Sequence, residues 1–195
     1  TGPPLFVHPP DLFLKAKKCY TGAEMTAVLS RQNIHDLIRQ EPPLIEGYLD
    51  LEEQLQPNGF DITLHEVAML QTAGQIARQN SQRIISDVAP LVFDGLDYID
   101  LIPGAYTVFY NEVVHLPNNV MALARPRSSL LRCGVTVGTA VWDAGYSGRS
   151  QSLMVVYNPQ GIRLQKDARI VQLVFFQLTG ETRGYDGTYQ GENIV

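Results

Sequence analysis

The sequence predicts a mainly β fold, a barrel or sandwich of many short strands with one or two short helices. Two observations carry this. From residue 91 onward, short segments rich in β-branched and aromatic residues follow one another: 91–93, 106–110, 112–116, 120–124, 135–141, 153–157, 162–164 and 170–177. Turn signals, such as Asn158-Pro159 and Gly161, separate them at intervals too short for helices. Helical spacing is clear only once, where Ser30 supplies an N-cap ahead of Ile34, Leu37 and Ile38 and Pro42-Pro43 closes the segment.

Before that helix, residues 1–24 differ in composition from the rest. They hold Pro3, Pro4, Pro9 and Pro10 and the basic Lys15, Lys17 and Lys18, and they read as a loosely held extension. The main β domain is expected over 25–180, followed by a C-terminal segment over 181–195. After the helix, Gln56-Pro57-Asn58-Gly59 forms a turn, and the alternation of Phe60-Asp61-Ile62-Thr63-Leu64 predicts a strand with Asp61 near its start. Residues 65–90 fit either strands flanking a glutamine-rich loop or parts of one helix.

Composition narrows the function classes. At 195 residues and 45% hydrophobic content, the chain supports one substantial core. A net charge of −5 opposes a polyanionic partner such as duplex nucleic acid, so bound phosphates require a local basic pocket. No apolar run reaches membrane-spanning length, and the first residues show no signal-type pattern. Cys19 and Cys133 lack the paired spacing of a zinc or redox motif, and His8, His35, His65 and His115 are scattered without ligand spacing. A cytoplasmic protein is expected, with neither nucleic acid nor membrane as partner.

Two neighbouring stretches concentrate the chemistry. Arg125, Arg127 and Arg132 surround Pro126 and the hydroxyls of Ser128 and Ser129, giving charged and neutral donors able to converge on phosphate oxygens. Shortly after, Asp143 opens Asp143-Ala144-Gly145-Tyr146-Ser147-Gly148, whose glycines permit a tight turn and close approach of a ligand. A salt-bridged surface loop followed by an ordinary hairpin turn is the competing reading of either stretch alone.

Five blocks in order resemble the trimeric dUTPase and dCTP deaminase superfamily, in its archaeal-type dUTPase branch. They begin at Leu55-Gln56-Pro57-Asn58-Gly59-Phe60-Asp61, Arg127-Ser128-Ser129, Trp142-Asp143-Ala144-Gly145-Tyr146, Ala168-Arg169-Ile170-Val171-Gln172 and Tyr185-Asp186-Gly187-Thr188-Tyr189-Gln190. The resemblance covers residues 28–193 and implies a distorted jelly-roll subunit. It also implies a homotrimer with active sites at its interfaces and Mg2+ holding a deoxynucleoside triphosphate.

The implied activity is hydrolysis of dUTP to dUMP and pyrophosphate. On that resemblance Asp143 activates the attacking water, and Tyr146 lies under the deoxyribose and leaves no room for a 2′-hydroxyl. Arg127, Ser128, Ser129 and Arg132 bind phosphates and Gln172 binds phosphate or metal-bound water, with Arg125 and Arg169 open to ion-pair roles. Asp61 approaches the metal through water. Thr139, in the hairpin 134–141, belongs with the backbone groups that read uracil. Tyr185, Tyr189 and Gln190 belong to a closing segment in which the usual lysine near Thr188 is missing, leaving Arg183 or Gln190 for phosphate. A dCTP deaminase, alone or bifunctional with dUTPase activity, is the alternative, and a non-catalytic nucleotide-binding homologue is a third. The deaminase needs a glutamate at the position occupied here by Val155 or Leu153, and no carboxylate occurs between Ala144 and Lys166. The segment 149–154 is longer than the family pattern by two residues.

Overall fold

The structure, a computed structural model, describes residues 27–194, so the reading of 1–24 as an extension lies outside the described residues. Helix α1 (Arg31–Ile38) starts at the expected Ser30 cap, where Ser30 and Asn33 cap each other reciprocally, and it buries Ile34 and Ile38. Strand β1 (Ile45–Glu46), the one-turn helix α2 (Leu51–Gln54) and strand β2 (Leu55–Gln56) lead into β3 (Gly59–Leu70). Strands β4 (Val88–Pro90), β5 (Tyr98–Leu101), β6 (Gly104–Tyr110), β7 (Val113–His115) and β8 (Val120–Pro126) come next. Helix α3 (Ser128–Arg132) precedes β9 (Val135–Gly138), β10 (Ser147–Gly148), β11 (Gln151–Val156), β12 (Ile162–Gln165) and β13 (Arg169–Gln177).

Every strand pairing is antiparallel. The main sheet runs β8-β13-β3-β6-β11-β9, with β2 and β4 also paired to β3, while β1-β7-β10 and β12-β5 form smaller sheets. This is the dUTPase-like barrel expected from the sequence, with three short α-helices rather than one or two. Its interior is filled by Phe60, Ile62, Leu64, Tyr110, Met154, Leu173 and Phe175, all 2% exposed or less.

Strand β3 is buried along both faces through Leu64, which departs from the one-sided pattern its alternation suggests. Phe60, Ile62 and Leu64 enter the core, whereas Asp61 and Thr63 are buried because partners satisfy them. Thr63 donates through its amide (2.9 Å) and hydroxyl (2.7 Å) to the buried Glu112 carboxylate, and the Gln54 amide donates to the same group at 2.6 Å. Burial pushes the Glu112 carboxyl above its ordinary range, and the donors from Thr63 and Gln54 oppose that shift.

Several expected boundaries move. Residues 65–90 resolve in favour of strands around a polar excursion: β3 runs on to Leu70, β4 pairs back onto it, and a 3-10 turn (Asn80–Gln82) lies between. Residues 91–93 are not a strand. Leu91 makes one last bond to the Val67 carbonyl, after which the Asp94 carboxylate takes the Leu96 and Tyr98 amides and turns the chain. The strand expected over 135–141 stops at Gly138, and Trp142 instead bridges Ala122. Ser128 and Ser129 form the first turn of α3, so the competing reading of that stretch as a surface loop does not hold.

Candidate active site

Strand register assembles the first half of the site. Gln172 on β13 stands opposite Asp61 on β3 and Arg125 on β8, so residues far apart in sequence share one face of three adjacent strands. They line a cleft of about 270 Å³ with Gln56, Arg127 and Ser128. Asp61 is almost fully buried; its carboxylate lies 3.1 Å from Arg127 Nε and 3.9 Å from Arg169 Nη1. Burial raises the Asp61 carboxyl, and the guanidinium groups of Arg127 and Arg169 act against it.

The sign of that shift makes a prediction. A folded aspartate that holds its proton more tightly than an unfolded one contributes stability below the ordinary carboxylate pKa, and the contribution is lost as pH rises through the folded value. Arg127→Gln removes the nearer cation, so Asp61 should titrate higher still and the loss of stability with rising pH should steepen. A carbon NMR titration of Asp61 in parent and variant checks this; a lower-titrating carboxyl in Arg127→Gln would contradict it.

Ser129 and Arg132 are exposed on α3 beside the cleft but do not line it. Asp61, expected near a metal, is held by two arginines, and the described residues contain no cluster of three or more His, Cys, Asp or Glu side chains suited to a metal ion.

The second half of the site is the turn that opens with Trp142. Its bridge to Ala122 anchors the entry, Asp143 accepts the Tyr146 amide (3.0 Å), and Gly145 turns the chain at φ 82°. Strand β10 then pairs with β7. Asp143 is exposed, and its carboxylate has no hydrogen bond or ion pair among the described residues. It lines a cavity of about 290 Å³ with Ala140, Val141, Tyr146, Tyr185 and Tyr189. Thr139 lies next to that wall but is not part of it.

The C-terminal segment closes over this turn. A Cβ on Gly145 would meet the Gly184 Cα at 2.7 Å and the Tyr185 amide nitrogen at 2.9 Å, so only glycine allows the two backbones to press together. Tyr185 donates its amide to Ala144, and the Gln190 side chain accepts from the Ser147 amide and donates to the Gly145 carbonyl. Gln190 is therefore a clamp on the turn. Arg183 pairs with Asp186 at the surface (3.1 Å), whereas Arg83 reaches Thr188 (3.4 Å) and stacks over the Tyr189 ring.

Sequence reasoning missed part of this wall. Trp142, Ser150 and Glu192 also line the cavity, and the Tyr146 hydroxyl donates to Glu192 at 2.9 Å. Burial raises the Glu192 carboxyl, opposed by that hydrogen bond, and burial pushes the Tyr146 phenol up as well. The cleft of Asp61 and Arg127 and the cavity of Asp143 share no lining residue, so one chain holds the two halves apart. No helix among the described residues is long and apolar enough to cross a membrane.

The barrel is of the dCTP deaminase kind. It superposes on the 2′-deoxycytidine 5′-triphosphate deaminase of Agrobacterium tumefaciens with a TM-score of 0.58 and 22% identity, over 78% of this chain and 48% of the other. The chain thus spans about half the length of that deaminase, and at this identity the likeness concerns fold alone. The sequence pattern of the family described as dCTP deaminase-like matches residues 28–178, and the chain belongs to that family. It is 50% identical over 168 residues to the probable deoxyuridine 5′-triphosphate nucleotidohydrolase of Methanosarcina mazei, covering 86% of this chain and 98% of the relative. The similarly named protein of Archaeoglobus fulgidus is 51% identical over 168 residues, with the same coverage of both chains.

Proposed function

We propose that the protein is a cytoplasmic dUTP diphosphatase, converting dUTP and water to dUMP and pyrophosphate. The observation that carries this reading is the Asp143 carboxylate, without a partner among the described residues and set in the cavity wall with Tyr146. Family relatives named for dUTP hydrolysis support it.

Asp143 takes a proton from the water as its oxygen bonds to the α-phosphorus, and the bond from that phosphorus to the pyrophosphate oxygen breaks. Tyr146 lies against the deoxyribose and excludes a 2′-hydroxyl, while backbone groups around Thr139 read uracil. Arg127, Ser128, Ser129, Arg132 and Gln172 hold the phosphates and stabilise the charge on departing pyrophosphate. Tyr185, Tyr189 and Gln190 close over the nucleotide.

Asp61 and Gln172, which line the same cleft, would be the side chains to hold a Mg2+, and the chemistry the ion would supply there is charge neutralisation of the triphosphate. A donor set of one ion-paired carboxylate and one amide fits an ion held mainly by phosphate and water. That cleft and cavity share no lining residue within one chain supports a complete site assembled between subunits, in the homotrimer that the family resemblance implies. The described domain and the closing segment over 181–195 divide these tasks.

Deamination of dCTP is the second reading, favoured by Glu192 bringing a carboxylate to the cavity. That group is committed to the Tyr146 hydroxyl, and β11 offers Leu153 and Val155 where the deaminase glutamate belongs. Incubation with dUTP and with dCTP in Mg2+, followed by product separation, decides. Pyrophosphate and dUMP from dUTP are expected; conversion of dCTP to dUTP without pyrophosphate release would overturn the proposal.

A further inference from the structure

The Tyr146 hydroxyl is held from two sides. Trp142 Nε1 donates to Ser150 Oγ at 2.5 Å, Ser150 Oγ lies 3.0 Å from the Tyr146 hydroxyl, and that hydroxyl donates to Glu192 Oε1 at 2.9 Å. Proton inventory fixes the direction of this chain. An indole nitrogen only donates, and a phenol has one proton, here given to Glu192. The Ser150 hydroxyl must then donate to the Tyr146 oxygen, so every link has one donor and one acceptor. Gly148 is the floor beneath it: a Cβ there would clash with the Tyr146 hydroxyl and come within 2.8 Å of the ring carbon that bears it.

The two anchors come from different places. Ser150, 8% exposed, lies between β10 and β11, and Glu192 arrives on the C-terminal segment. The neighbouring backbone joins them as well, since the Arg149 amide donates to the Glu192 carbonyl and the Asn193 side chain donates to the Arg149 carbonyl.

We propose that Ser150 and Glu192 are the positioning residues that set sugar specificity, fixing the Tyr146 ring against the nucleotide from opposite ends of its hydroxyl. The inference rests on the reading of Tyr146 as the sugar gate. A ring tethered on both sides cannot swing to admit a 2′-hydroxyl. A ring tethered on one side can, and discrimination between deoxyribose and ribose falls.

The test is the ratio of kcat/KM for dUTP to that for UTP in the full chain, for Tyr146→Ala, Ser150→Ala, Glu192→Ala and Glu192→Gln. The proposal expects the ratio to fall about tenfold in Ser150→Ala and Glu192→Ala, the scale of one hydrogen bond. Turnover of dUTP should fall less than the ratio does. Glu192→Gln, whose amide oxygen still accepts from the phenol, should restore most of the ratio; a merely structural role for Glu192 would lower turnover of dUTP and UTP alike in Glu192→Ala and leave the ratio unmoved. A ratio unchanged in Ser150→Ala and Glu192→Ala, with a fall in Tyr146→Ala, overturns the proposal and leaves the gate standing. An unchanged ratio in Tyr146→Ala overturns the gate itself, and this proposal with it.

Discussion

Asp143→Asn should lower kcat for dUTP by about 10² to 10⁴-fold, the usual worth of a positioned general base, with little change in KM. The substitution keeps the shape of the side chain and removes its basicity. Because the Asp143 side chain makes no hydrogen bond or ion pair among the described residues, the fold has nothing to lose, and the melting temperature should match the parent's. The backbone carbonyl that accepts the Tyr146 amide is untouched. Steady-state kinetics with thermal unfolding on the same samples checks both halves. Parent-level turnover would remove Asp143 from the chemistry, and a large fall in melting temperature would assign it to the turn.

Glu112→Ala should have the reverse signature, a large loss of stability that originates outside the candidate site. The carboxylate accepts from the Thr63 amide, the Thr63 hydroxyl and the Gln54 amide in a buried setting, and alanine leaves those donors without partners. A loss of about 3 kcal/mol is expected from the desolvated donors, read as a lower urea midpoint. Its pH dependence follows from the raised carboxyl. Glu112 contributes most below the ordinary carboxylate pKa, and that contribution declines as pH rises through the folded value. The variant lacks this decline, so the gap between parent and variant should narrow from acid toward neutral pH. A gap that widens would contradict the assignment.

The two variants separate what holds the barrel from what acts in it, and they show where sequence reasoning reaches. The Asp143–Gly148 turn was legible because its grammar is local: an acid, a glycine at positive φ and an aromatic within a few residues. Strands such as β8 and β13 were legible for the same reason, as their β-branched runs end at turn residues. The partnership of Asp61 with Arg127 was not, because it depends on the β13 register between β3 and β8, which no local pattern encodes.

Long-range contacts set the same limit at the cavity. Glu192 meets Tyr146 across 46 positions, and nothing in the composition of Gly191-Glu192-Asn193 marks it as a lining residue. Ser150 is likewise tied to the site only by its bonds to Trp142 and Tyr146, which needed the folded turn. The short helix at Ser128 leaves little trace in sequence, being a single turn with an arginine N-cap and no capping side chain. Residues 91–93 mislead in the other direction: Leu91 and Phe93 pack against the core from a loop, with the alternation of a strand but no partner for it.

The central claim, that water attacks the α-phosphorus of dUTP, is tested most directly by hydrolysing dUTP in oxygen-18 water and locating the label by mass spectrometry. The account predicts one labelled oxygen in the phosphate of dUMP and none in pyrophosphate. Label in pyrophosphate, in released orthophosphate or at the pyrimidine ring would contradict it.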